Sequence, residues 1–87
     1  MKAPVMPLAA LPEPMTPEEL IAARRELGHL WGFNRGLTQG EMGRAMRLRG
    51  KDPAESIRAM EEGKDRISGP MSLAIEAMLS GWRPSVW

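Results

Sequence analysis

The chain has 87 residues, enough for one small domain. It has no cysteine and a single histidine, which excludes a disulfide framework, a thiolate metal site and a histidine-based zinc cluster. Twelve Lys and Arg residues stand against eleven Asp and Glu residues, a net charge of +1, so any nucleic-acid site must come from local clustering of charge.

The first segment, residues 1–15, is predicted to be a flexible arm. Four prolines among its first fourteen residues remove backbone donors and block helix formation. They also argue against the apolar helical segment of a signal peptide, and no run approaches the roughly 18 apolar residues of a membrane span. We therefore expect a soluble cytoplasmic protein whose folded domain covers residues 16–84, followed by a short tail at 85–87.

The first helix is predicted for residues 17–31. Thr16 caps it, Pro17 suits the first helical position, and Glu19 completes a capping box with Thr16. Apolar residues then recur at helical spacing, namely Leu20, Ala23, Leu27 and Leu30. The segment GFNRG that follows is predicted to be a loop.

The same pattern starts a second helix, predicted for residues 39–48. Thr38 caps it and Glu41 closes the capping box. Its apolar face consists of Met42, Ala45 and Met46. Gly40 and Gly43 weaken this helix by about 1 kcal/mol each relative to Ala. Because glycine in a short helix often marks the close approach of another backbone, we expect both to be contact points.

A third helix is predicted for residues 53–62. Asp52 caps it, and Glu55 lies three residues after the cap, as in a capping box. Gly63 ends it in the left-handed conformation that glycine tolerates. Four basic and five acidic residues share positions 51–66, whereas only two apolar residues point toward a core, Ile57 and Met60. Most of this helix is therefore predicted to be exposed on the surface of the domain.

A fourth helix is predicted to begin at Pro70 and to end before Gly81. Its apolar stripe consists of Met71, Ala74, Ile75, Met78 and Leu79. The tail is rich in tryptophan, so it either folds back on the helices or forms a dimer interface. We expect a homodimer centred on Met78, Leu79, Trp82 and Trp87, the alternative being that Trp82 packs onto the first helix. No strand pattern appears, so the predicted fold class is all-α.

Two motifs resemble those of a known family. LTQGEMGRAM spans the second helix, and SIRAMEEGKDRISGP spans most of the third and the loop after it. Both resemble the phage Cro/C1-type helix-turn-helix regulators, the XRE family, and the ending SGPMSLAIEAMLSGWRP is similar to the fourth-helix region of short prophage members. The likeness covers about residues 16–84. It implies a lambda-repressor-like domain of four to five helices, a transcriptional repressor that places its third helix in the major groove of double-stranded DNA.

The resemblance also implies roles by position. Gln39 would bind a phosphate, Lys64 and Arg66 would follow the phosphate backbone, and the residues facing bases would be Ala54, Glu55, Arg58 and Ala59. Local charge supports this independently, since four basic residues lie within eight positions without an acid among them, namely Arg44, Arg47, Arg49 and Lys51. Arg58 can pair bidentately with guanine, whereas Glu55 repels phosphate and can usefully accept only from cytosine.

The chain departs from the family pattern at three places. The segment HLWGFNRG separates the first helix from LTQ, the turn RLRGKD is longer than usual, and Met60 stands where the family most often has Trp or Leu. The first two bear on the angle at which the third helix would dock on DNA. The third exchanges one large apolar side chain for another, a change in volume that a core tolerates.

A protein-interaction module is the alternative function, because helix-turn-helix folds also serve antitoxins and phage adaptors. Near-neutral charge and Glu55 favour it, while the basic run and the capped motif helices favour DNA. The basic run can also be an ordinary solvated face, and Gln39 an ordinary first-turn residue. The inventory offers no nucleophile–base pair, phosphate-binding glycine loop or metal-ligand cluster, so neither an enzyme nor a cofactor is predicted.

Overall fold

The computed structural model describes residues 14–84. It contains four helices, α1 (Pro17–Leu30), α2 (Gln39–Ala45), α3 (Pro53–Glu61) and α4 (Gly69–Leu79). These described residues form no strand, which confirms the all-α prediction for this part of the chain. The predicted arm up to residue 13 and the tail at 85–87, with Trp87, lie outside the described residues.

Reciprocal capping boxes start α1 and α2, as the sequence predicts. The Thr16 hydroxyl accepts from the Glu19 N–H at 3.2 Å, and the Glu19 carboxylate accepts from the Thr16 N–H at 2.9 Å. The same two bonds join Thr38 and Glu41, at 3.0 and 2.8 Å. Each box satisfies two backbone donors that the helix itself leaves free.

Caps of a simpler kind start α3 and α4. The Asp52 carboxylate accepts from the Ala54 N–H at 3.1 Å. The prediction that Glu55 closes a capping box is wrong for the described residues, since its side chain makes no return bond to Asp52. Ser68 caps α4 by accepting from the Met71 N–H at 3.2 Å, so this helix begins one residue before its proline.

All four helices end in the same way, with a residue at positive φ followed by an N–H that bonds the carbonyl five residues earlier. Glycine takes the positive φ in three of them, Gly32, Gly63 and Gly81. In α2 the residue is Arg47, at φ +58°, and the Leu48 N–H bonds the Gly43 carbonyl at 3.0 Å. Because Arg47 gives no stop signal in the sequence, the predicted helix of residues 39–48 overruns the true end at Ala45.

The core lies where α1 meets α3 and α4, while α2 packs chiefly on α3. Its most buried side chains come from every helix and from one loop residue, and they are Leu20, Leu27, Leu37, Met42, Ile57, Ile75 and Met78. The predicted apolar stripes therefore supply most of the core. Met46, Ala74 and Leu79 are only partly buried, and Leu30, the last residue of α1, is 51% exposed.

One glycine sets the distance between α2 and α3. A Cβ at Gly43 would stand 2.6 Å from the Pro53 Cβ and 2.7 Å from the Pro53 carbonyl oxygen, so the two helices touch through backbone. A Cβ at Gly40 would lie 3.8 Å from the Ala54 Cβ, an ordinary contact. The predicted close approach of another backbone is confirmed at Gly43 but not at Gly40, where a Cβ would meet only side-chain atoms at ordinary distance.

Candidate nucleic-acid interface

The outer face of α3 carries exposed charges of both signs. Glu55 and Arg58 are exposed, and neither forms an ion pair within residues 14–84. Ala54 and Ala59 are partly buried and offer only methyl groups. Of the four residues expected to face bases, Arg58 is therefore the one that combines exposure with several hydrogen-bond donors.

Most of the residues expected to bind phosphate are exposed, namely Arg44, Arg47, Arg49, Lys51 and Arg66. Of these, Arg44, Arg49, Lys51 and Arg66 form no ion pair in the part of the chain that the structure describes. Their charges are therefore not neutralised by a carboxylate there. Lys64 differs, because its Nζ lies 3.5 Å from Glu62 Oε1, an exposed ion pair that contributes little to stability.

A largely buried ion pair ties α1 to the end of α3. Arg24 donates to both oxygens of Glu61, at 2.7 and 3.1 Å, and the two side chains are only 18% and 7% exposed. Arg24 also donates to the Leu37 carbonyl, just before α2, at 2.7 Å. Gln39 Nε2 donates to Glu61 Oε1 at 3.0 Å. One network thus holds α1, the start of α2 and the end of α3 together.

This network bears on the role expected for Gln39. Its amide is oriented toward Glu61, so only the second N–H of that nitrogen remains for a phosphate, and the contact stays a prediction. Sequence reasoning missed the network because Arg24 and Glu61 are 37 residues apart. The sequence did carry one signal of this ion pair, because in both helices a charged residue directly follows a core residue: Arg24 follows Ala23, and Glu61 follows Met60.

The segment between α1 and α2 packs back against α1. Gly28 permits this, since a Cβ there would lie 2.6 Å from the Gly36 Cα. The Phe33 N–H bonds the Gly28 carbonyl at 2.9 Å, and the Leu37 N–H bonds the Arg24 carbonyl at 3.1 Å. The segment is therefore bound to α1 through Phe33 and Leu37, near its two ends.

Arg35, in this segment, is held at the start of α2. It donates to both oxygens of Glu41, at 2.8 and 3.1 Å, and to the Gly36 carbonyl at 2.7 Å. Its guanidinium carbon lies 5.2 Å from the ring centroid of Phe33, yet half of its side chain remains exposed. Hydrogen bonds from Arg35 and from the Thr38 backbone lower the pKa of Glu41 from 4.5 to about 2.

The predicted dimer surface is only partly available. Met78 is 1% exposed within the core of its own chain, so its place at the centre of an interface is wrong, because it has no surface left for a partner. Leu79 is partly buried against the core. Trp82 is 57% exposed, so its burial against α1 is wrong as well. Arg83 instead reaches back, with its guanidinium carbon 5.2 Å from the ring centroid of Trp31.

Residues 14–84 hold neither a metal-ligand cluster nor a helix that could span a membrane. No group of three or more His, Asp or Glu residues there is arranged to hold a metal ion. No helix among them is long and apolar enough to cross a membrane. Comparison of the chain with models of protein families, with curated proteins and with solved structures found no match.

Proposed function

We propose that the chain is a sequence-specific DNA-binding transcriptional regulator, a repressor of a phage or prophage-type operon. In this proposal α2, the turn and α3 form a helix-turn-helix, and α3 enters the major groove. The observation that carries it is the backbone contact between Gly43 and Pro53. This contact joins α2 to the start of α3. On the outer face of α3, Arg58 is exposed to solvent.

The distribution of charge supports the same reading. Arg44, Arg49 and Lys51 are exposed on α2 and the turn, and within the described residues no carboxylate pairs with them. Contacts of this kind to phosphates position a protein on DNA without reading its sequence. Arg58 would then supply the base contact, since its guanidinium can donate to O6 and N7 of guanine.

Assembly into a homodimer is part of the proposal. A helix-turn-helix reads few base pairs, so small regulators pair to read two half-sites about one helical turn apart. Exposed apolar surface on and just after α4 suits such pairing, since Leu73 is 67% and Trp82 57% exposed. Light scattering measures the mass directly: a mass of one chain for the wild type, or a dimer unaffected by Trp82→Ala, would contradict this interface.

Selection of bound sequences from a random DNA pool tests the proposed function. Enrichment of a palindromic site would support base readout and two-fold symmetry together. Arg58→Ala should then lower the affinity for the selected site by about 1–3 kcal/mol while the fold is kept. Arg49→Ala should instead weaken binding to all sequences alike. Absence of enrichment at low salt, or unchanged affinity of Arg58→Ala, would contradict the assignment of α3 to the groove.

A protein-interaction module is the second candidate. Glu55 favours it, because an exposed carboxylate on the outer face of α3 repels phosphate. Exposed Leu73 and Trp82 also suit a protein partner. Retention on immobilised DNA separates the two functions: a DNA-binding protein is retained at low salt and released as salt rises, whereas the interaction module passes through at every salt concentration.

A further inference from the structure

Two arginines flank the backbone segment that leads into α2, and the family resemblance assigns neither of them a role. Arg25 is exposed on α1, and a Cβ at Gly36 would lie 3.0 Å from the Arg25 Cα and 3.4 Å from its Cγ. Arg35 directly precedes Gly36, and its guanidinium binds Glu41 in the first turn of α2. Gly36 therefore lies against the stem of Arg25 and directly follows Arg35 in the chain.

Their charges are not equivalent. Glu41 receives two hydrogen bonds from Arg35, whereas Arg25 forms no ion pair among the described residues. Arg25, Arg35 and Glu41 thus carry one net positive charge. The guanidinium of Arg35 is fixed by Glu41, by the Gly36 carbonyl and by Phe33 while half of its side chain faces solvent. A fixed cation loses less conformational entropy when it binds an anion.

We infer that Arg25 and Arg35 bind a backbone phosphodiester of DNA beside the start of α2. The inference rests on the proposed function, because in a helix-turn-helix the first helix of the pair crosses the DNA backbone. Gln39, the residue expected to bind phosphate here, already donates to Glu61. Arginine can make the phosphate contact in place of Gln39, since its planar fork of donors matches phosphate oxygens.

Charge-neutral variants test the inference by affinity and salt dependence. Arg25→Gln should weaken binding to selected and random DNA alike, several-fold at low salt, and should reduce the slope of log affinity against log salt by about 1. Arg83→Gln is the matched control, because it removes the same charge from the segment after α4. Equal effects of the two substitutions would mean that only net charge matters, and would overturn the inference.

Glu41→Gln provides a change of opposite sign. Glu41 Oε1 accepts from both the Thr38 N–H and Arg35, so the amide oxygen of glutamine can still close the capping box and hold Arg35. The negative charge next to the proposed phosphate is gone, so binding to all DNA should tighten several-fold. Unchanged or weaker binding by a variant that melts like a folded protein would overturn the inference. If the wild type binds no DNA at low salt, the proposed function fails with it. If Arg58→Ala acts as expected but Arg25→Gln equals Arg83→Gln, the inference alone fails.

Discussion

Replacement of Gly43 by alanine tests whether contact between the backbones of α2 and α3 holds these two helices in place. The added Cβ would stand 2.6 Å from the Pro53 Cβ, 2.7 Å from its carbonyl oxygen and 2.9 Å from its carbonyl carbon. Two carbon atoms prefer about 3.5–4.0 Å, so α3 would have to retreat by about 1 Å. The proline ring cannot rotate away, because it is part of the backbone that begins α3.

The expected magnitude follows from two opposing terms. Overpacking of this kind costs about 1–3 kcal/mol, while the higher helix propensity of alanine returns up to about 1 kcal/mol. At the middle of both ranges the net loss at Gly43 is about 1.5 kcal/mol, which for a domain of this size lowers the melting temperature by about 6–12 °C. Thermal unfolding followed by circular dichroism measures it. Because α3 must also shift, binding to a selected DNA site should fall in the folded variant.

Gly40→Ala is the matched control on the same helix. Its Cβ would lie 3.8 Å from the Ala54 Cβ and 3.9 Å from the Thr38 hydroxyl oxygen, so nothing needs to move. The propensity term then acts alone, and Gly40→Ala should be as stable as the wild type or more stable by up to about 1 kcal/mol. A Gly43→Ala protein that melts at or above the wild-type temperature would refute the reasoning, as would equal losses at the two positions.

Two further predictions concern the ion pairs. Arg24→Met should lower the free energy of unfolding by up to about 3 kcal/mol, because it leaves the buried Glu61 carboxylate with only the Gln39 amide as a donor. Urea unfolding measures this loss, and a second substitution, Glu61→Gln, should restore part of it. The depressed pKa of Glu41 means that its bond to Arg35 stabilises the fold above pH 4.5 and that this contribution is lost as pH falls from 4.5 toward about 2. Glu41→Gln should therefore show a weaker fall in melting temperature over that range, and an unchanged fall would contradict the assignment.

Local signals were enough to predict the four helices. Capping residues at Thr16 and Thr38 place two of the starts to the residue, because a cap depends only on neighbours within one turn. The end of α2 could not be predicted, since Arg47 takes a conformation that usually calls for glycine. Nor could the contact at Gly28 be predicted, because it depends on how the following segment folds back.

The candidate site was predicted less completely than the fold. Exposure of Arg58 and of the basic run follows from spacing along helices whose buried faces are apolar. Met78 was misassigned because periodicity identifies an apolar stripe but does not say whether the chain's own core or a partner covers it. The Arg24–Glu61 pair joins residues far apart in sequence, and only the packing of α1 on α3 brings them together.

The segment between α1 and α2 combines a structural and an electrostatic role. Because the N–H groups of Phe33 and Leu37 bond to the carbonyls of Gly28 and Arg24, the segment is fixed to α1 up to the residue before Thr38, the cap of α2. Arg24 then reaches from the same place to Glu61, so one side chain bonds both the residue before the cap of α2 and the last residue of α3. The same segment holds Arg35 at Glu41, in the first turn of α2, so in the proposed complex a further cation would lie beside the DNA backbone.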